Sequence, residues 1–125
     1  MSLTGHLDLL EDPQGGMSLD DARRSHAWRR LPGKLNVGFT PSAIWLRLTV
    51  RQPQSSATEW ILFIESAHID EAVLHTPTDL VPWHVQRAGR LVPHASWPMD
   101  TRTPAFRIKL PPGEHQLYLR LKSEH

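Results

Sequence analysis

Trp83, Trp97 and Tyr118 are the side chains with the most obvious chemistry to offer, because flat aromatic faces pack on the apolar faces of sugars while polar neighbours hold the hydroxyls. Trp83 and Trp97 lie in or beside Pro-rich loops, where binding residues concentrate. Their structural alternative is a pair of hydrophobic caps over a sheet edge. Arg87, Arg90 and Arg102 bracket Trp97 in sequence. If the loop from Ala88 to Thr103 folds over one sheet, these arginines make a cationic pocket for a carboxylated sugar or another anion. Solvated arginines on a wet sheet face are the competing reading. Trp45 and Trp60 sit inside apolar runs and are expected in the core or in cross-strand pairs. Trp28, in a loop between Arg and His residues, receives no assignment.

Other chemistries find less support. The eight histidines, His6, His26, His68, His75, His84, His94, His115 and His125, include no His-x-His pair and no His-Glu-x-x-His. Surface or hydrogen-bonded histidine is therefore the expectation rather than zinc. Asp8, Glu11, Asp12, Asp20 and Asp21 form the main acidic concentration, without an EF-hand loop, so calcium sensing stands only as an alternative. No Gly-x-Ser-x-Gly elbow, cysteine nucleophile or Gly-rich phosphate loop is present. Glu65 and Asp70 can be imagined as a glycosidase pair, but nearness in sequence does not establish one. The chain is expected not to be an enzyme and to need no cofactor.

The elements that must position these residues read as short strands between turns. The 125 residues suit one domain, residues 1–125, large enough to bury a core without metal or disulfide staples. Fourteen basic against thirteen acidic residues leave a net charge of +1, which implies no general attraction to nucleic acid or to anionic membrane. The absence of cysteine leaves the redox compartment open. No run is long enough to span a membrane. Met1–Leu3 and Glu124–His125 are compatible with residues flanking an excised domain.

Eleven prolines punctuate alternating apolar runs, the texture of an all-β sandwich or barrel. His6–Glu11 predicts an opening strand, followed by a turn at residues 12–16. Ser18-Leu-Asp-Asp21 fits a capping box for one short helix through Arg24. After a loop through Leu31–Gly33 and a Gly- and Pro-containing turn from Asn36, the next strand places Ile44, Leu46, Leu48 and Val50 on one face. Trp45, Arg47, Thr49 and Arg51 take the other. Beyond a loop at residues 53–58, the near-continuous apolar run Glu59–Glu65 predicts a central strand covered on both sides. Ile69–His75 and Trp83–Arg87 predict a hairpin. Phe106, Ile108 and Leu110 alternate inward, and Pro111-Pro-Gly113 turns the chain into a last strand with Leu117, Leu119 and Leu121 inward.

Taken in order, several of these segments resemble one known domain. They are Leu10-Glu-Asp-Pro13 with the helix from Ser18, and the Gly38–Leu48 block around Ser42-Ala-Ile-Trp-Leu-Arg47. The Ala88-Gly89 step followed by Pro93, and Leu110-Pro-Pro-Gly-Glu114 running to Tyr118-Leu-Arg120, complete the set. The chain resembles the type-2 extracellular domain of bacterial seven-transmembrane receptors with diverse intracellular signalling modules (7TMR-DISM). That resemblance implies a jelly-roll β-sandwich like a carbohydrate-binding module and a periplasmic location. It also implies a seven-helix membrane region and a cytoplasmic output such as a histidine kinase or diguanylate cyclase, none of which lies in this sequence.

Members of that family often carry an Asp after the Ala-Gly step and an Arg a few residues beyond the next Pro. Arg90 and Trp97 stand there instead, which implies an altered pocket, whereas Arg102 and Tyr118 fit the pattern. The expectation is a sensor domain that binds a small ligand, a saccharide or related polar molecule, through Trp83, Arg87, Arg90, Trp97, Arg102 and Tyr118. A protein-interaction module that signals through a homodimer interface is the rival.

Overall fold

The alternating runs of the sequence become strands because each offers one apolar face to a common core. The computed structural model describes residues 4–31, 43–52, 59–64, 69–78 and 81–123. Among these residues the strands are β1 (Thr4–Asp12), β2 (Arg29–Leu31), β3 (Ala43–Gln52), β4 (Glu59–Phe63), β5 (Glu71–Thr76), β6 (His84–Ala88), β7 (Ala105–Lys109) and β8 (Gly113–Lys122). A helix, α1 (Leu19–Arg24), follows β1, and a 3-10 turn spans His94–Ser96. Six strands form a sheet in the order β2-β1-β3-β8-β5-β6, and β4 pairs with β7 in a second. These pairings are antiparallel throughout.

The two sheets close over one apolar core. Leu9, Ile44, Leu46, Leu74, Leu117, Leu119 and Leu121 come from the larger sheet, and Phe106 and Ile108 from the smaller, with Trp60 and Leu62 packed against them. Fully burying a Leu or Phe side chain contributes on the order of 1.5–3 kcal/mol, so this layer dominates stability. Two hydrogen bonds also cross between the sheets. Trp60 Nε1 donates to Gln52 Oε1 at 2.9 Å, and Gln86 Nε2 donates to the Arg107 carbonyl at 2.8 Å, which satisfies two buried amides. The result is an all-β sandwich.

Most expected elements form. The capping box is complete, with Asp21 N–H donating to Ser18 Oγ and Ser18 N–H to the Asp21 carboxylate, each at 3.1 Å. The β5–β6 hairpin and the inward leucines of β8 also stand as expected. One reading is corrected. The run at 59–65 is not a central strand covered on both sides: β4 belongs to the two-stranded sheet, and its exposure alternates. Trp60, Leu62 and Ile64 face the core while Ile61 and Phe63 face outward, 44% and 56% exposed. Apolar residues on both faces do not require cover on both faces. Arg29–Leu31, read as the approach to a loop, is the edge strand β2. The turn from Asn36, the Gly38–Ser42 part of the family-like block, the loop at residues 53–58, Glu65 and His68 lie outside the described residues.

Candidate functional site

Alternation along each strand sends one set of side chains away from the core, onto the outer face of the six-stranded sheet. Register aligns these into a row that crosses the sheet: Arg30 on β2, Asp8 on β1, Arg47 on β3, Tyr118 on β8, His75 on β5 and Val85 on β6. Five interstrand steps of about 4.8 Å make the row roughly 24 Å long. A neighbouring row holds Leu10, Trp45, Arg120, Val73 and Arg87.

Asp8 is nearly buried and lies between two guanidiniums. Arg30 Nε donates to its Oδ1 at 2.7 Å, and Arg47 Nε and Nη2 donate to its Oδ2 at 3.1 and 3.0 Å. Burial pushes the Asp8 pKa up, but hydrogen bonds and charge from Arg30 and Arg47 outweigh it and hold the carboxyl below its usual value. Arg120 is held likewise, with Nη1 on Glu71 at 2.8 Å and Nη2 on the Gly15 carbonyl at 3.2 Å.

Aromatic rings collect over the middle of the row. Tyr118, 4% exposed, meets Trp28 at 6.0 Å and Trp83 at 5.8 Å between ring centroids, both edge-on. The Arg47 guanidinium lies 4.6 Å from the Trp28 ring centroid, and that of Arg23 lies 5.2 Å from Trp83. Helix α1 orders this group, since Trp28 Nε1 donates to the Ala22 carbonyl at 2.9 Å and Ala22 is buried against the same cluster. The Asp12 carboxylate shapes the turn that leads there, accepting from Gly15 N–H and Met17 N–H. His75 stacks near Trp45 at 5.7 Å, with Nδ1 3.2 Å from the Tyr118 carbonyl oxygen. Burial pushes the His75 pKa down, the Tyr118 carbonyl opposes this, and the charge of Arg87 adds to the depression. The imidazole is thus biased toward its neutral form.

Two buried polar atoms on this face of β3, Trp45 Nε1 and Thr49 Oγ1, have no hydrogen-bond partner among the described residues, and they flank Arg47 along the strand. A buried donor without an acceptor is uncommon and costly. Within the described structure, hydrogen-bonding capacity is left unused on either side of the central arginine.

The structure brings Trp83 and Tyr118 into contact and places Arg87 on the same outer face. Trp97 is elsewhere: it packs against the core between the sheets, its Nε1 donates to the Val92 carbonyl at 3.0 Å, and His94 stacks on it at 4.5 Å. Arg87 and Trp97 therefore stand on opposite faces of the large sheet. Arg90, in the turn after β6, pairs with the buried Asp70 at 3.5 Å, and Arg102 is exposed before β7. Trp45 and Trp60 pack as expected, one beneath the aromatic cluster and one in the core.

Sequence reasoning missed Trp28, Arg23, Arg30 and the Asp8–Arg47 pair. Asp8 carried a usable signal, because an acid set among Leu7, Leu9 and Leu10 in a strand has to find a cation. The acidic concentration considered for calcium is mostly committed: Asp8 and Asp12 as above, Glu11 to Arg29 at 3.1 Å, and Asp21 to the helix cap. Among the described residues no group of three or more His, Asp or Glu is arranged to hold a metal ion.

Compared with known proteins, residues 4–125 match the family model described as 7TMR-DISM extracellular 2. A search of curated proteins finds no match.

Proposed function

The chain belongs to the 7TMR-DISM extracellular 2 family, and from that premise we propose that it binds a small polar ligand, a saccharide or a related molecule, on the outer face of its six-stranded sheet. Membership makes it an extracellular sensor-type domain of a membrane receptor, located in the periplasm. Among the described residues no helix is long and apolar enough to cross a membrane. The proposed attachment runs through a seven-helix region outside this sequence, to an output such as a histidine kinase or a diguanylate cyclase.

One observation carries the reading: Trp28 and Trp83, half-buried around Tyr118 and each covered by an arginine, form an aromatic and cationic group at the middle of a polar row. Apolar sugar faces suit such rings, and Arg, Asp and Gln side chains suit the hydroxyls. The task is binding rather than turnover. Occupancy signals by favouring one of two receptor arrangements, through the difference in the ligand's affinity for each. The test is a thermal-shift screen against neutral glycans, uronic acids and calcium. A ligand that raises Tm should do so in the native protein and fail to do so in Trp83→Ala. A shift that survives Trp83→Ala would overturn the assignment of the face.

A second reading has its own observation. Ile61 and Phe63 expose adjacent apolar side chains on the outer face of β4, a surface suited to pairing with a second copy. Under that reading Phe63→Ser converts a dimer to a monomer in analytical ultracentrifugation.

A further inference from the structure

We infer that the ligand of this outer face is an acidic saccharide, whose carboxylates are received by Arg30 and Arg87 at the two edges of the sheet. The inference rests on reading the face as the ligand site and adds the charge of what it holds. Around the aromatic cluster the two rows carry Arg30, Arg47, Arg87 and Arg120. Among the described residues these four guanidiniums pair with two carboxylates, Asp8 and Glu71. The guanidiniums of the two rows thus outnumber the carboxylates they pair with by two.

The excess is concentrated in particular groups. Asp8 is shared between Arg30 and Arg47, so among the described residues this group carries one more cation than anion. Arg30 is the accessible one: its side chain is 58% exposed, and its Nε holds Asp8 while neither Nη group meets an acceptor among the described residues. Arg87 is exposed on edge strand β6 and makes no ion pair with a described residue. A guanidinium presents two parallel N–H groups that match a carboxylate, a geometry neither ammonium nor imidazole reproduces. Between the two arginines lie the half-buried Trp28 and Trp83, packed around the buried Tyr118, as the surface for the sugar rings. Arg30 and Arg87 lie on strands β2 and β6, the two edges of the sheet. That spacing suits a short acidic oligosaccharide laid across the strands.

Isothermal titration calorimetry with hexagalacturonate, long enough to span the sheet, and with its methyl ester, equal in length and lacking the charge, tests this. The acid should bind at least about tenfold more tightly than the ester at low salt, with the advantage shrinking as sodium chloride is added. Arg87→Gln and Arg30→Gln should each weaken the acid about two- to fivefold, as expected of exposed charges, and Arg87→Gln should leave the ester unchanged. Arg87→Gln is the safer variant, since Arg30 also supports Asp8. Equal binding of acid and ester, no effect of either substitution, or no binding of hexagalacturonate would each overturn the charge assignment. Equal binding of acid and ester, both lost in Trp83→Ala, would leave the face standing without its acidic preference, whereas saccharide binding that persists in Trp83→Ala removes the face itself.

Discussion

At the scale of the residue, Asp8 decides how the outer face is held. A carboxylate in the middle of an apolar strand is tolerated because two guanidiniums meet it, one from each neighbouring strand. Its folded-state pKa is depressed despite burial, so its contribution to stability is fully present above the unfolded value near 3.9 and is lost as pH falls through the lower folded value. Asp8→Asn keeps the shape and removes the charge. It should cost about 1–3 kcal/mol at pH 7, discounted for the partial exposure of Arg30, and should flatten the acid limb of stability below about pH 4. Thermal unfolding of both proteins between pH 2 and pH 7 measures this. A parallel loss at every pH would show that the Asp8 pKa is the same in the folded and unfolded chain.

At the scale of the element, α1 and the turn after β6 show opposite dependences on their surroundings. Six residues of helix do not persist alone, yet α1 has a complete capping box, acidic residues in its first turn and basic residues in its last. What local chemistry does not supply is the docking of Ala22 beneath Trp28. The turn after β6 depends on close backbone contact. Gly89 has φ +125° and sits against the chain at Asp70, where an added Cβ would fall 2.5 Å from the Asp70 carbonyl oxygen. Gly89→Ala should therefore cost about 2 kcal/mol or more and lower Tm by roughly 8 °C. A Cβ added at Gly16 would meet no described atom within 4 Å, so Gly16→Ala should be neutral or slightly stabilising. Calorimetry on the pair checks the contrast, and equal losses would contradict the close-approach account. The Ala88-Gly89 step is legible in sequence as part of a family-like pattern, but its steric reason depends on the distant segment at Asp70 and Glu71.

At the scale of the whole molecule, two neighbouring phenylalanines on the small sheet separate core from surface. Phe106 is fully buried between the sheets, whereas Phe63, paired across from Ala105, is mostly exposed. Phe106→Ala should cost about 3–5 kcal/mol and Phe63→Ala less than about 0.5 kcal/mol, measured by urea unfolding. A large loss at Phe63 would mean that another surface covers it in solution. From the sequence alone came most of the strands, the inward faces of β3, β7 and β8, the helix cap and the family likeness, because periodicity and capping act over a few residues. Sheet order and register came only with tertiary structure, because they join distant segments: Asp8 with Arg47 across 39 positions, Arg120 with Gly15 across 105. The same long-range pairing separated Arg87 from Trp97, turned Ile61 and Phe63 outward, and made Trp28, Trp83 and Tyr118 neighbours. Local pattern determines which face of a strand is apolar, and only pairing and packing between strands decide which outward side chains share a surface.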